Sequence, residues 1–215
     1  MSIELKSPDQ IALMRESGRI VALAHEAMRE AVKPGVSTLE LDQIAETVLR
    51  DHGATPAFLG YPKQNSPDFP ATITASINHE LVHGIPSAER ILQEGDIISL
   101  DVGCHYQGFV GDAARTWPVG EVSSGAERLI RVSYETLDAA IAAAVLPNSV
   151  SDIAKATQAY AADHGYSVAR EYTGHGVGRK MHEPPQVPNW WPRKQNRRTR
   201  QVDAPLQVGM TIAIE

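Results

Sequence analysis

Asp51-His52-Gly53 returns as Asp163-His164-Gly165, 112 positions later, and each copy closes a segment with the same order of local signals. The first segment opens on Ser7-Pro8-Asp9, a cap with proline at the first helical position. Ile11, Met14, Ile20, Val21, Ala24 and Met28 then recur at helical period until Lys33-Pro34-Gly35 breaks the pattern. Ser37 stands three residues before Glu40, a capping-box spacing, and Leu41, Ile44, Ala45, Val48 and Leu49 carry a second helix to a stop at Gly53. In the later segment Ser124 and Glu127 repeat the spacing ahead of a helix running toward Val145. Pro147-Asn148 breaks that helix, and Ser151 is placed to cap the next. Each half reads helix, break, helix, Asp-His-Gly and then strands. The shared order, more than the tripeptide, sets internal duplication beside coincidence as a reading, and it points to an α+β chain with helix pairs over strands.

The strands are short. Ile73 to Asn78 reads as one, and Gly95-Asp96 turns the chain into Ile97-Ile98-Ser99-Leu100-Asp101-Val102. A turn near Tyr106-Gln107-Gly108 sends it back through Phe109 to Trp117 as a hairpin, whose register stays open because two- and three-residue turns both fit. Tyr166 to Thr173 and Met210 to Glu215 read as further strands, and Pro184-Pro185 and Trp190 to Val202 as loop. A chain of 215 residues, 42% apolar, suits one catalytic domain with halves of about 1–120 and 121–215.

Charge and termini narrow the classes. A net charge of −6 offers no basic field for DNA or anionic lipid. The start, Met1-Ser2-Ile3-Glu4-Leu5-Lys6, lacks the basic flank and apolar core of a secretory signal, and no apolar run is long enough to span a membrane. The single Cys104 cannot form an internal disulfide, which suits a reducing cytoplasm.

Asp101 is the residue most out of place, since it interrupts an apolar strand in which a charge is expected to be buried. Asp112 lies on the returning strand, and a turn at Tyr106-Gln107 would set it directly opposite Asp101. A divalent cation would turn that repulsion into attraction. An ion pair of either carboxylate with Arg115, or simple exposure, are the alternatives. His175, within Gly174-His175-Gly176-Val177-Gly178, combines a common metal ligand with glycines that permit close approach. The glycines also suggest a phosphate loop, but no Lys-Ser/Thr follows. His83 in Val82-His83-Gly84-Ile85-Pro86 and His182 in Met181-His182-Glu183-Pro184 adjoin conformationally special residues, and singly each is more often structural. Glu215 ends an apolar run and is a second acid of the same kind, unless it frays into solvent.

Taken in order, Val82-His83-Gly84-Ile85-Pro86, the hairpin ending Gly111-Asp112, Gly174-His175-Gly176-Val177-Gly178-Arg179 and Gly209-Met210-Thr211-Ile212-Ala213-Ile214-Glu215 resemble the type I methionine aminopeptidases over essentially the whole chain. The resemblance implies their pita-bread fold, with pseudo-twofold duplicated helix pairs packed on a mostly antiparallel curved sheet. It implies two divalent ions (cobalt, iron, manganese, zinc or nickel), with Asp101 chelating one, Asp112 bridging both, and His175 and Glu215 binding the second. Glu215 would take the proton of the attacking water, His182 would steady the developing oxyanion, and His83 would hold the peptide-nitrogen side. A free α-amine on a metal would explain selection of chain ends. Phe58, Tyr61 and Thr74 would line the methionine pocket, although ordinary core packing also suits the two aromatics. The partners implied are N-terminal Met peptides of nascent chains, met by a cytoplasmic monomer.

Three departures from the family accompany the match. Its further bridging glutamate and a pocket tryptophan come from a segment after Glu215, so the sequence is expected to continue beyond that residue. Pro62 to Pro70 looks longer than usual. Trp190 to Arg200 looks like an insertion, whose basic run is a solvated loop before it is a transient contact with ribosomal RNA. Two other readings stand beside the first: a Xaa-Pro aminopeptidase or prolidase, and a peptide-binding protein of the same fold without catalysis.

Overall fold

Ser7-Pro8 starts α1 (Pro8–Ala31), whose stripe Ile20, Val21, Ala24, His25 and Met28 is buried. Those side chains meet Leu41, Ala45 and Leu49 of α2 (Thr38–Asp51) and Ile73, Ala75, Ile98, Leu100 and Val102 of a sheet, forming one core. Burial of each large member contributes about 1.5–3 kcal/mol. The computed structural model describes residues 2–62, 67–194 and 202–215. Two compact units organise it: Asp9–Arg128, and Met1–Pro8 with Leu129–Glu215. No helix among the described residues is long and apolar enough to cross a membrane.

In the first of these units, β1 (Thr55–Pro56) and β2 (Ile73–Ile77) pair with β3 (Ile97–Tyr106), which also pairs with β4 (Phe109–Pro118), all antiparallel. Gln107 and Gly108 both take positive φ, +47° and +81°, so the hairpin closes on two residues with Tyr106 opposite Phe109. Helix α1 crosses β4 closely: a β-carbon on Gly111 would stand 2.6 Å from the carbonyl carbon of Ser17.

The second unit takes up α3 (Ser124–Ala143) from Leu129 onward, with α4 (Val150–Asp163), β5 (Thr173–Gly176), β6 (Glu183–Pro188) and β7 (Ile212–Ala213). Its sheet runs β6-β5-β7, antiparallel throughout. Ala140, Val150, Ile153, Val187 and Ala204 form its core.

The duplication extends to backbone detail. α2 and α4 each have 14 residues and start after Ser37 and Ser149, 112 positions apart. They end on His52 and His164 with nearly equal dihedrals (φ −95°, ψ 11° and φ −97°, ψ 7°). Each histidine bonds through Nδ1 to the carbonyl four residues earlier, at 2.9 Å in both cases. Gly53 and Gly165 follow at φ +72° and +81°, the left-handed stop that glycine permits.

Several local expectations are corrected. Ser123, not Ser124, caps α3, since its Oγ accepts from Ala126 N at 3.2 Å. Ser149, not Ser151, caps α4, with Asp152 Oδ2 accepting from Ser149 N at 2.9 Å. Tyr166 to Tyr172 is not a strand, because this stretch finds no ladder partner among the described residues and β5 starts only at Thr173. At the far end, only Ile212–Ala213 of the run to Glu215 is paired. Pro184 and Pro185 lie in strand β6 rather than a loop, on a sheet edge where a missing N–H is tolerated. The long loop at Pro62 to Pro70 and the basic stretch at Trp190 to Arg200 fall partly outside the described residues.

Candidate functional site

Strand alternation explains how Asp101 is tolerated. Ile98, Leu100, Val102 and Cys104 face the core, so Asp101 points to the opposite face and is half-buried rather than buried. Across β3 it pairs with buried Thr74 on one side and Ala114 on the other. Asp112 is opposite Gly103, not Asp101, because the turn falls at Gln107-Gly108, one residue later than the turn that would oppose the two acids. The carboxylates therefore share a face as diagonal neighbours, a relation spaced by about 7–8 Å between backbones. Arg115 is opposite Leu100, in the alternate set of the ladder from Asp101 and Asp112. Two half-buried acids converging on one face suit a hard divalent cation.

Glycine lets the second donor pair form. A β-carbon on Gly174 would stand 3.2 Å from both Glu215 N and Val187 O, so only glycine lets the chain close over both sides of β5. His175, 6% exposed, bonds through Nδ1 to Gly176 O at 2.8 Å. A carbonyl only accepts, so Nδ1 carries the proton and the Nε2 lone pair points elsewhere. It faces Glu215 Oε1 at 3.1 Å. Ala213 pairs with His175, which brings Glu215 one diagonal further along with its side chain 47% exposed. Two acceptor atoms in this relation need a proton or a cation between them. His182 is exposed, its ring 4.4 Å from that of His175 and tilted by 56°.

His83 is exposed and takes φ +62°, a backbone state unusual for a side chain this large. Its loop is pinned to β2: Gly84 N donates to Ser76 Oγ (3.1 Å), and Ala75 N donates to Gly84 O (2.8 Å). Arg90 ties the same loop, donating to Ala75 O (3.1 Å) and Ile85 O (2.9 Å) and pairing with Glu80. Of the expected pocket residues, Thr74 is held beside Asp101, Phe58 is half-buried, and Tyr61 is 38% exposed in the turn after β1.

Three supporting residues were not anticipated from sequence. Arg90 is one. His25 donates from Nε2 to Ala113 O at 2.8 Å, next to Asp112, and burial holds its basicity below the ordinary range. Its place at the helical period of Val21 and Met28 was the available signal. Lys6, 5% exposed, pairs with Glu183 at 2.6 Å; nothing local in sequence marks a bond spanning 177 positions.

Comparison with known proteins places these features in context. The model of Peptidase_M24, metallopeptidase family M24, matches residues 12–215. Methionine aminopeptidase 1 of Bacillus subtilis is 44% identical over 210 residues, covering 98% of this chain and 79% of the relative. The crystal structure of methionine aminopeptidase from Thermotoga maritima superposes with a TM-score of 0.89 at 36% identity, covering 99% of this chain and 81% of that one. Prolidase from Pyrococcus furiosus, at 22% identity and a TM-score of 0.81, shares the fold alone.

Proposed function

The chain belongs to metallopeptidase family M24, and we propose that its donor pairs make it a metal-dependent enzyme removing the N-terminal methionine of proteins and peptides. It has the pita-bread fold of the methionine aminopeptidases. The observation that carries the metal reading is His175: with Nδ1 committed to Gly176 O, its Nε2 and Glu215 Oε1 form a ready pair of donors.

The donor chemistry fits divalent ions. Asp101 and Asp112 supply carboxylates from one face of a hairpin, and His175 and Glu215 supply imidazole and carboxylate. We take these four as the ligands of two ions; mixed oxygen and nitrogen donors suit cobalt, iron, manganese, zinc or nickel alike. When bound, such ions polarise a carbonyl and lower the pKa of water.

The remaining roles fall to the chain itself. Glu215 accepts the proton of the attacking water. His182 donates to the scissile carbonyl oxygen as negative charge develops there. His83, fixed in its left-handed turn, holds the peptide-nitrogen side, and the strain of that turn fits a residue kept for position. Thr74, Phe58 and Tyr61 bound the methionine side chain. In this reading the enzyme is a cytoplasmic monomer that meets nascent chains, transiently at the ribosome, with neither DNA nor membrane as partner. The two halves of the sequence belong, in this reading, to one catalytic domain.

A peptide panel tests the assignment. Methionine is expected to leave Met-Ala-Ser with added divalent ion, while Gly-Pro and Ala-Pro peptides stay intact. Cleavage of the proline peptides in place of Met-Ala-Ser would favour the prolidase reading. No cleavage, with peptide binding retained, would favour the non-catalytic one.

A further inference from the structure

Lys6 lies far in sequence from every residue assigned a role, yet it is among the most buried charges in its unit. Its Nζ donates to Glu183 Oε2 at 2.6 Å and to Glu4 O at 3.1 Å. The Lys6 and Glu183 side chains are only 2% and 9% exposed. Glu183 divides its carboxylate between two tasks. Oε2 takes Lys6, and Oε1 accepts from Lys180 N at 3.0 Å, closing the turn on which His182 stands.

The surrounding backbone is shaped around this ammonium. A β-carbon on Gly178 would stand 2.6 Å from Lys6 Nζ and 2.7 Å from Glu183 Oε2, so glycine there leaves the pair its space. Lys6 N donates to Gly209 O at 2.7 Å, and Gly209 (φ +88°) passes so close that a β-carbon would lie 2.7 Å from Lys6 O. From Gly209 the chain runs through Thr211, which exchanges bonds with Val177 (N to O 3.1 Å, Oγ1 to O 2.5 Å), into β7 and Glu215. One residue of the N-terminal arm therefore touches both the turn bearing His182 and the turn leading to Glu215.

We infer that Lys6 and Glu183 are a positioning pair that fixes His182 relative to His175 and Glu215, the N-terminal arm serving as a cross-tie for the reacting groups. The inference rests on the role given to His182 above. A group that must meet a developing charge tolerates little displacement, and a shift of about 1 Å costs up to about 100-fold in rate. The pair touches no substrate. Its loss should lower kcat and leave KM nearly unchanged, as for an interaction expressed in the transition state.

The test compares the wild-type chain with Lys6→Met and with Lys6→Met/Glu183→Gln. The single variant strands a buried carboxylate and can fail to fold; the double variant removes both charges at similar volume. In the folded double variant, kcat for Met-Ala-Ser is expected to fall at least about 10-fold with KM within about twofold. In the metal-free protein, the Lys180 amide is expected to exchange with solvent at least about 10-fold faster, while amides of α4 stay unchanged. Unchanged kcat with only a lower melting temperature would make the pair purely structural and overturn the inference, as would an unchanged Lys180 amide. Absence of methionine release by the complete wild-type enzyme would contradict the proposed function instead, and amide exchange would then decide the cross-tie by itself.

Discussion

His175 Nε2 and Glu215 Oε1 stand 3.1 Å apart while the other ring nitrogen of His175 donates to Gly176 O. Two lone pairs at that distance repel unless a proton or a cation separates them. A divalent ion satisfies both atoms and leaves the Nδ1 bond intact, which gives Glu215 opposite effects in the two states of the protein.

In chelator, at a pH where no proton is shared between them, Glu215→Gln is expected to melt at or above the wild-type temperature, because it removes one side of a repulsive pair. With divalent ion at about 100 times its dissociation constant, wild type should gain about 2.7 kcal/mol, or about 5–10 °C. The variant should gain less than half of that. Equal gains measured by scanning calorimetry would remove Glu215 from the ligand set.

Asp101 and Asp112 allow a sharper comparison, since each is one of two like charges on the same face of the hairpin. Asp112→Asn should leave metal-free stability within about 0.5 kcal/mol and lower kcat/KM at least about 100-fold. Arg115→Ala, in the alternate set of the ladder, should change kcat/KM less than about threefold. A loss for Arg115→Ala equal to that for Asp112→Asn would favour the ion-pair reading.

Asp42 anchors the entry to β2, accepting from Thr72 N at 2.8 Å and Ile73 N at 2.9 Å. Burial raises its pKa, against the lowering effect of those two bonds. A raised folded pKa means a contribution fully present below the unfolded value, about 3.9, and lost as pH rises through the folded one. Asp42→Asn keeps an acceptor without the charge, so its stability relative to wild type should rise between about pH 4 and pH 7. Asp42→Ala, which orphans two buried amides, should cost about 2–4 kcal/mol. Urea titrations across that range check both the sign and the size.

Gly111 is where α1 meets β4, with Ser17 backbone 2.6 Å from any added β-carbon. Gly111→Ala is expected to cost about 1–3 kcal/mol by overpacking. The urea midpoint should fall while the slope stays constant. A wild-type midpoint would show that the helix can move away freely.

What sequence revealed and what it hid divide along a physical line. Helix pairs were legible because caps, breaks and apolar period are local: Ser37-Glu40, Gly53 and the Asp-His-Gly repeat reappear as geometry. The hairpin was legible as an element, but its register depended on positive φ at Gln107 as well as Gly108, so the carboxylates came out diagonal rather than opposed. Pro184-Pro185 concealed an edge strand, and Tyr166 to Thr173 read as one although its residues before Thr173 have no ladder partner among the described residues. Lys6, Arg90 and His25 were hidden for a further reason. Lys6 and His25 act through bonds to distant segments and Arg90 through bonds within its own loop and to β2, none of which a local pattern reports.

The most direct measurement is methionine release from Met-Ala-Ser by the purified complete enzyme, before chelation, after exhaustive chelation, and after a divalent ion is returned. Release that disappears on chelation and returns with the ion is the expected result. Release that continues undiminished in the chelated protein would contradict a hydrolase built on Asp101, Asp112, His175 and Glu215.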